Sequence, residues 1–146
     1  MLTTQHPEHV TAWNNLAALL ADDPAHLSGA LECIDRGLAA AGRPIATLLD
    51  TKAVILLRMQ KLQRAAEILR QVLAMPDGND PRFFLHYAIT QRRIGDMVGA
   101  RQMWRRAQEL GVGAVYLTDF EQAQIQDLEV ALVPTPSTDQ LEESHP

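Results

Sequence analysis

Small and bulky apolar residues recur along this chain at an interval of 35 or 36 residues. One set of alanines is Ala30, Ala65 and Ala100, and each is followed four residues later by a large side chain: Ile34, Leu69 and Trp104. A second set is Ala17, Ala53 and Ala88, each preceded four residues earlier by Trp13, Leu49 and Phe84. Residues i and i+4 share one face of a helix. The pattern therefore predicts two helices in each period, with small residues where paired helices approach closely.

Turn residues divide each period into two helices. We predict helices over residues 8–21, 25–41, 45–59, 62–75, 81–94 and 97–110, which form three hairpins. Pro24, Pro44 and Pro81 suit a first helical turn, where the amide that proline lacks has no partner within the helix. Gly95-Asp96 reads as a helix stop followed by a cap. In the second hairpin Gln60-Lys61 takes that place, so this turn is less strongly marked.

A seventh helix is predicted from Thr118, because Thr118-Asp119-Phe120-Glu121 has the form of a capping box. Its apolar residues fall on one face, as expected of a helix that covers the end of the last hairpin. Those residues are Leu117, Phe120, Ile125, Leu128, Ala131 and Leu132. The segment 133–146 contains prolines, serine, threonine and acidic residues and is expected to be a flexible tail.

Charge and composition exclude some classes of function. The net charge is −5, and residues 118–146 hold seven acidic side chains and no Lys or Arg. An acidic balance disfavours nonspecific binding to nucleic acid, which depends on neutralising phosphates. Cys33 is the single cysteine, so neither an internal disulfide nor a multi-cysteine metal site is possible. It shares the register of Ile68 and Met103, which indicates a half-buried apolar position. No run of residues has the length of a membrane span or the form of a signal peptide, and both cytoplasm and periplasm stay open.

The repeating residues resemble the tetratricopeptide repeat (TPR) family, in the form of its bacterial tandem members. The first helix of the family's unit is matched by Trp13–Leu20, the turn by Arg93–Ala100, and the second helix by Trp104 and Ala107. The resemblance implies an all-α fold: a right-handed α-solenoid of three hairpins plus a capping helix, seven helices in all. The implied domain covers residues 1–132, with repeats at about 7–43, 44–79 and 80–112, a capping helix at about 117–132 and a tail at 133–146. It also suggests the C-terminal part of a longer array.

What the resemblance implies about function is protein binding, without catalysis, in a concave groove lined by the first helix of each hairpin. No cofactor, metal or catalytic residue is expected. The projected groove runs from polar through aliphatic to cationic side chains: Asn14, Ala18, Asp50, Val54, Leu57, Arg58, Arg82, Leu85, His86, Ile89 and Arg93. The partner is a protein or peptide, acidic if the arginines receive it. Trp13 and Trp104 occupy repeat-defining positions and are expected in the core.

Several alternatives stay open beside this adaptor or scaffold role. The first hairpin has an open N-terminal face, which could stack on a copy of itself or on further repeats and so serve assembly. The chain could also be the noncatalytic domain of a larger enzyme or of a secretion or export component. Six arginines between residues 82 and 106 could receive an acidic partner or simply be solvated, in part against the acidic helix from Thr118. His6 and His9 lie one turn apart, but no third metal ligand accompanies them.

Overall fold

The computed structural model describes residues 7–133, and over this range the chain is all-α, with seven α-helices and no strand. The helices are α1 (Pro7–Ala21), α2 (Leu27–Ala41), α3 (Ala46–Arg58), α4 (Leu62–Leu73), α5 (Pro81–Ile94), α6 (Met97–Glu109) and α7 (Asp119–Ala131). Two short 3₁₀ turns, Pro24–His26 and Val112–Ala114, separate α1 from α2 and follow α6. The described residues form two compact units that divide between Val115 and Tyr116. None of their helices has the length and apolarity needed to cross a membrane.

Local capping residues begin several helices where the sequence predicts. Asp80 accepts a hydrogen bond from the Arg82 amide at the start of α5, with Pro81 in the first turn. Asp96 likewise accepts from the Gly99 amide at the start of α6. These side chains satisfy amide groups that have no acceptor within the first turn of a helix. The predicted cap at Asp96 is therefore confirmed, and Asp80 caps α5 in the same way.

Two helices begin one or two residues later than predicted, α3 at Ala46 and α2 at Leu27. Pro44 lies before α3 rather than in its first turn, because the helix begins at Ala46 with an extended Ile45 as its cap. The residue before a proline is pushed away from helical geometry, and here the extended backbone continues through Ile45. In the second case, Pro24 opens a 3₁₀ turn capped by Asp23, and the α-helix begins only at Leu27.

The turn between α3 and α4 has the same geometry as the turn between α5 and α6, although their sequences differ. Gln60 has a φ of +63° and Gly95 has a φ of +101°. In both turns the next amide, that of Lys61 or Asp96, donates to the carbonyl five residues earlier, at 2.8 and 2.9 Å. This is the hydrogen bond of a Schellman motif. Gln60 therefore adopts a left-handed conformation that glycine accepts without strain.

In the first unit each helix packs against its neighbours in the chain. α1 packs with α2, α3 with α4 and α5 with α6, and the pairs are joined through α2 with α3 and α4 with α5. The first helix of each pair also contacts the next one, α1 with α3 and α3 with α5. The repeated alanines are all fully buried: Ala17, Ala30, Ala53, Ala65, Ala88 and Ala100. Small side chains thus occupy the places where helices meet, as the spacing predicts.

One aromatic contact recurs in the first and third hairpins. The Arg36 guanidinium lies 5.7 Å from the Trp13 ring centre, and Arg106 lies 5.9 Å from that of Phe84. Each arginine is on the second helix of its hairpin and each ring on the first. Trp13 and Trp104 are only half-buried, which corrects the expectation that both belong to the core. Because Arg36 extends over the ring of Trp13, that indole remains at the edge of the packed interior.

The second unit contains α7, and its start is confirmed. The Thr118 hydroxyl accepts from the Glu121 amide at 3.2 Å, and the Glu121 carboxylate accepts from the Thr118 amide at 2.9 Å. These reciprocal bonds form the predicted capping box. Leu128 is buried, whereas Gln122 and Glu129 are exposed, so the helix is amphipathic. The predicted tail beyond residue 133, and His6 near the N-terminus, lie outside the described residues.

Candidate functional site

All the projected groove residues lie on α1, α3 and α5, and direct bonds connect these three helices. Arg58 Nη1 in α3 lies 3.8 Å from the Asp22 carboxylate, just beyond the end of α1. Between α3 and α5, Arg93 Nη1 donates to the Leu57 carbonyl at 3.5 Å. In each case the partners are 36 residues apart. Both separations lie within one residue of the repeat interval, so the three helices lie side by side, and their combined surface is the candidate site.

The closest bond between α3 and α5 joins two residues predicted to face a partner. His86 Nδ1 lies 2.7 Å from Asp50 Oδ1, again 36 residues away. Asp50 is only 8% exposed and His86 5% exposed. The Thr90 hydroxyl also donates to the His86 carbonyl at 2.8 Å.

The structure corrects the predicted role of Asp50 and His86. A buried carboxylate needs a partner to offset its lost hydration, and the imidazole supplies one. The two side chains therefore hold α3 and α5 together and are not displayed for a partner. A signal for this pairing was present in the sequence, since His86 stands one residue after the position in the third repeat that corresponds to Asp50.

The aliphatic middle of the predicted groove is also corrected. Leu57 and Leu85 are fully buried and Ile89 is 1% exposed. Apolar side chains are buried where neighbouring helices pack against them, and buried side chains offer no accessible area to a partner. Val54 alone among the four aliphatic residues expected there remains partly accessible.

The accessible part of the predicted groove is more polar than expected. Ala18 on α1 is exposed, and the half-buried members are Asn14, Val54, Arg58, Arg82 and Arg93. The Asn14 carbonyl oxygen is buried and has no hydrogen-bond partner among the described residues.

The arginine cluster divides between two helices. Arg82, Arg92 and Arg93 lie half-buried on α5, while Arg101, Arg105 and Arg106 lie exposed on α6. Arg106 forms an ion pair with Glu109 at 3.3 Å. The six charges are therefore divided between two helices, and Arg82 and Arg93 on α5 belong to the candidate face.

Sequence reasoning missed a cleft in the first unit. About 440 Å³ in volume, it lies where α1 and the end of α2 meet the start of α3, and it is lined by Val10, Thr11, Ala41, Arg43, Ile45, Thr47 and Leu48. The residues come from two segments about 30 residues apart in the chain, 10–11 and 41–48, so no local motif marks them. Within residues 7–133, no group of three or more His, Cys, Asp or Glu side chains is placed to hold a metal ion.

Comparison with models of protein families, with curated proteins and with solved structures gave no match. The resemblance to tetratricopeptide repeats therefore rests on the repeating residues of the sequence.

Proposed function

We propose that this chain is a noncatalytic protein-binding module of the tetratricopeptide type, with its hairpins stacked as a right-handed α-solenoid. The partner is a protein or peptide that lies across the face formed by α1, α3 and α5. This face is defined by its accessible residues Asn14, Ala18, Val54, Arg58, Arg82 and Arg93. The proposal makes the chain an adaptor or scaffold.

The observation that carries the proposal is the side-by-side packing of the three first helices. Contacts join α1 to α3 and α3 to α5, and bonds between residues 36 apart keep corresponding parts of the three helices within one residue of register. Equivalent positions in register produce a continuous surface on which an extended segment can make the same kind of contact several times. Such a surface suits a polypeptide better than a small molecule, which requires an enclosed pocket.

Position-specific cross-linking tests the proposal. A photoreactive amino acid is placed at Ala18 or Val54 on the face, and at the exposed Ala39 and Glu67 on α2 and α4 as matched controls. In a lysate of the source cells, one partner should cross-link from both face positions and from neither control. Cross-linking of that partner from Ala39 or Glu67, or its absence from the face, would reject the placement.

The charge of the partner is tested separately, on the partner identified by cross-linking. Arg82→Glu introduces a repulsive charge on α5, while Arg105→Glu makes the same change at an exposed position on α6. If the partner segment is acidic, the α5 variant should weaken binding by about tenfold or more, or at least 1.4 kcal/mol. Equal affinities for the two variants would exclude an acidic segment at α5. Thermal melts of both variants establish that the fold is retained.

A further inference from the structure

An apolar face of α1 is open to solvent. It is formed by Ala12, Leu16 and Leu19, which the helical period places on one side of the helix. Leu16 is 42% exposed and Leu19 is 69% exposed, and Ala12 is also exposed. We call this the α1 face. It does not include Asn14, so it is separate from the proposed binding surface.

The same positions one period later are covered in α3. Leu48 is 3% exposed and Ile55 is fully buried. Ile55 belongs to one apolar cluster with Ala30 and Ile34 of α2. Between them Lys52 lies with its ammonium 2.7 Å from Asp35, also on α2. In the second hairpin this face is therefore covered by α2, the second helix of the first hairpin.

The third hairpin repeats this arrangement in α5. Phe83, Tyr87 and Thr90 stand at the equivalent positions and are 3%, 8% and 0% exposed. Tyr87 clusters with Ala66 and Leu69 of α4. The equivalent faces of α3 and α5 are therefore both covered by the preceding second helix, α2 or α4. Each of these helices carries an alanine and, three or four residues later, an aliphatic residue.

We infer that the α1 face is a docking site for the second helix of a further helical hairpin with this chemistry: a small residue, then Leu or Ile three or four residues on. A second copy of this chain is a poorer occupant. The matching faces of its α2 and α4 are already covered by α3 and α5, and its α6 carries Met103 and Trp104, not Leu or Ile, three and four residues after Ala100. The area that two partly exposed leucines per copy could bury is also far smaller than the roughly 1,200 Å² buried by a stable dimer. The inference is independent of the proposed binding surface, because the α1 face and the binding-surface residues Asn14 and Ala18 fall on different sides of α1.

The test adds such a hairpin to the protein. A second copy of residues 44–79 is joined directly to His9, the position in register with Asp80, and is compared with the same chain beginning at His9. Leu16→Ser and Leu19→Ser are introduced together into both proteins. Val98→Ser, at a 63% exposed position on α6, is the matched control.

Docking should raise the Tm of the extended protein by roughly 5 °C or more, since apolar area on α1 becomes buried. The two leucine substitutions should remove most of that gain, yet shift the Tm of the unextended protein by less than about 1 °C. The control substitution Val98→Ser should shift the Tm of both proteins by the same amount. Contact between the added hairpin and α1 is checked by a disulfide between Leu16→Cys and Leu69→Cys of the added copy, because Tyr87, the equivalent of Leu16, clusters with Leu69; Cys33→Ser is in the background.

Three results would overturn the inference. The first is an added copy that contributes no helical circular dichroism, because the α1 face then fails to accept it. The second is an equal effect of the leucine substitutions in both proteins. The third is a dimer of the unextended chain in sedimentation that these substitutions dissolve, since a second copy would then be the occupant.

Discussion

The turn residues Gln60 and Gly95 allow a direct test of how the repeat geometry is built. They lie 35 residues apart, both at positive φ, and both are exposed. The space around a Cβ atom at Gly95 is open. Gly95→Ala therefore changes the backbone preference and adds no clash, while Gln60→Gly makes the reverse change in the preceding hairpin.

The expected magnitudes follow from two opposing terms. A side chain in the left-handed region costs roughly 1–2 kcal/mol, while glycine adds about 0.5–1 kcal/mol of backbone entropy to the unfolded chain. The net effect is about 0.5–1 kcal/mol of unfolding free energy. Gly95→Ala should destabilise by this amount and Gln60→Gly should stabilise by it. For a chain of this length the Tm should move by roughly 1–4 °C in each direction.

Urea unfolding and thermal melts, both followed by far-UV circular dichroism, measure the two effects. Gly113→Ala is the control, because Gly113 also has open space around it but lacks a positive φ. That substitution should leave stability unchanged or raise it by a few tenths of a kcal/mol. All variants should share one m-value, so that midpoints can be compared directly.

The reasoning fails if Gln60→Gly destabilises the protein, or if Gly95→Ala and Gly113→Ala have the same effect. The first result would mean that the Gln60 side chain contributes more than its strained backbone costs. The second would mean that the left-handed turn after α5 is not required for the hairpin to close.

Three further predictions concern the interior and the caps. Asp50→Ala and His86→Ala should each lower the unfolding free energy by about 3–5 kcal/mol, because each removes the group to which the other buried side chain bonds. A double-mutant cycle in urea should show about 1–3 kcal/mol of non-additivity, and additive losses would contradict a direct bond. Ala65→Leu should destabilise by about 1–3 kcal/mol, because it overfills a fully buried contact, whereas Ala74→Leu at an exposed position should change the unfolding midpoint little. Asp80→Ala should lower the unfolding free energy by about 1 kcal/mol, because the cap of α5 is lost, and an unchanged urea midpoint would count against that cap.

The boundaries of most helices could be predicted because they depend on neighbours in the chain. Asp96 and Thr118 mark helix starts by bonding amides within three residues, and Gly95 marks a stop through its own backbone freedom. The burial of Ala30, Ala65 and Ala100 also follows from spacing, because a fixed period places one residue type on one face of every hairpin. Gln60 shows that the period outweighs local preference, since it adopts a glycine conformation to keep the turn.

The candidate site was predicted less well, because accessibility depends on what covers a face. The register correctly placed Leu57 and Ile89 on first helices, but the structure buries both. The helical period predicts on which side of the helix a residue lies, but not whether that side is exposed to solvent.

The amino-acid sequence by itself determined that this chain is helical, where its helices begin and end, and which positions repeat, because caps, turns and i,i+4 spacing act over a few residues. Only the tertiary structure decided that Asp50 and His86 bond to each other inside the protein and that Leu16 and Leu19 stay exposed while Ile55 and Tyr87 do not. The physical reason is that burial depends on neighbouring helices: residues at identical registers differ in exposure according to whether another helix packs on them.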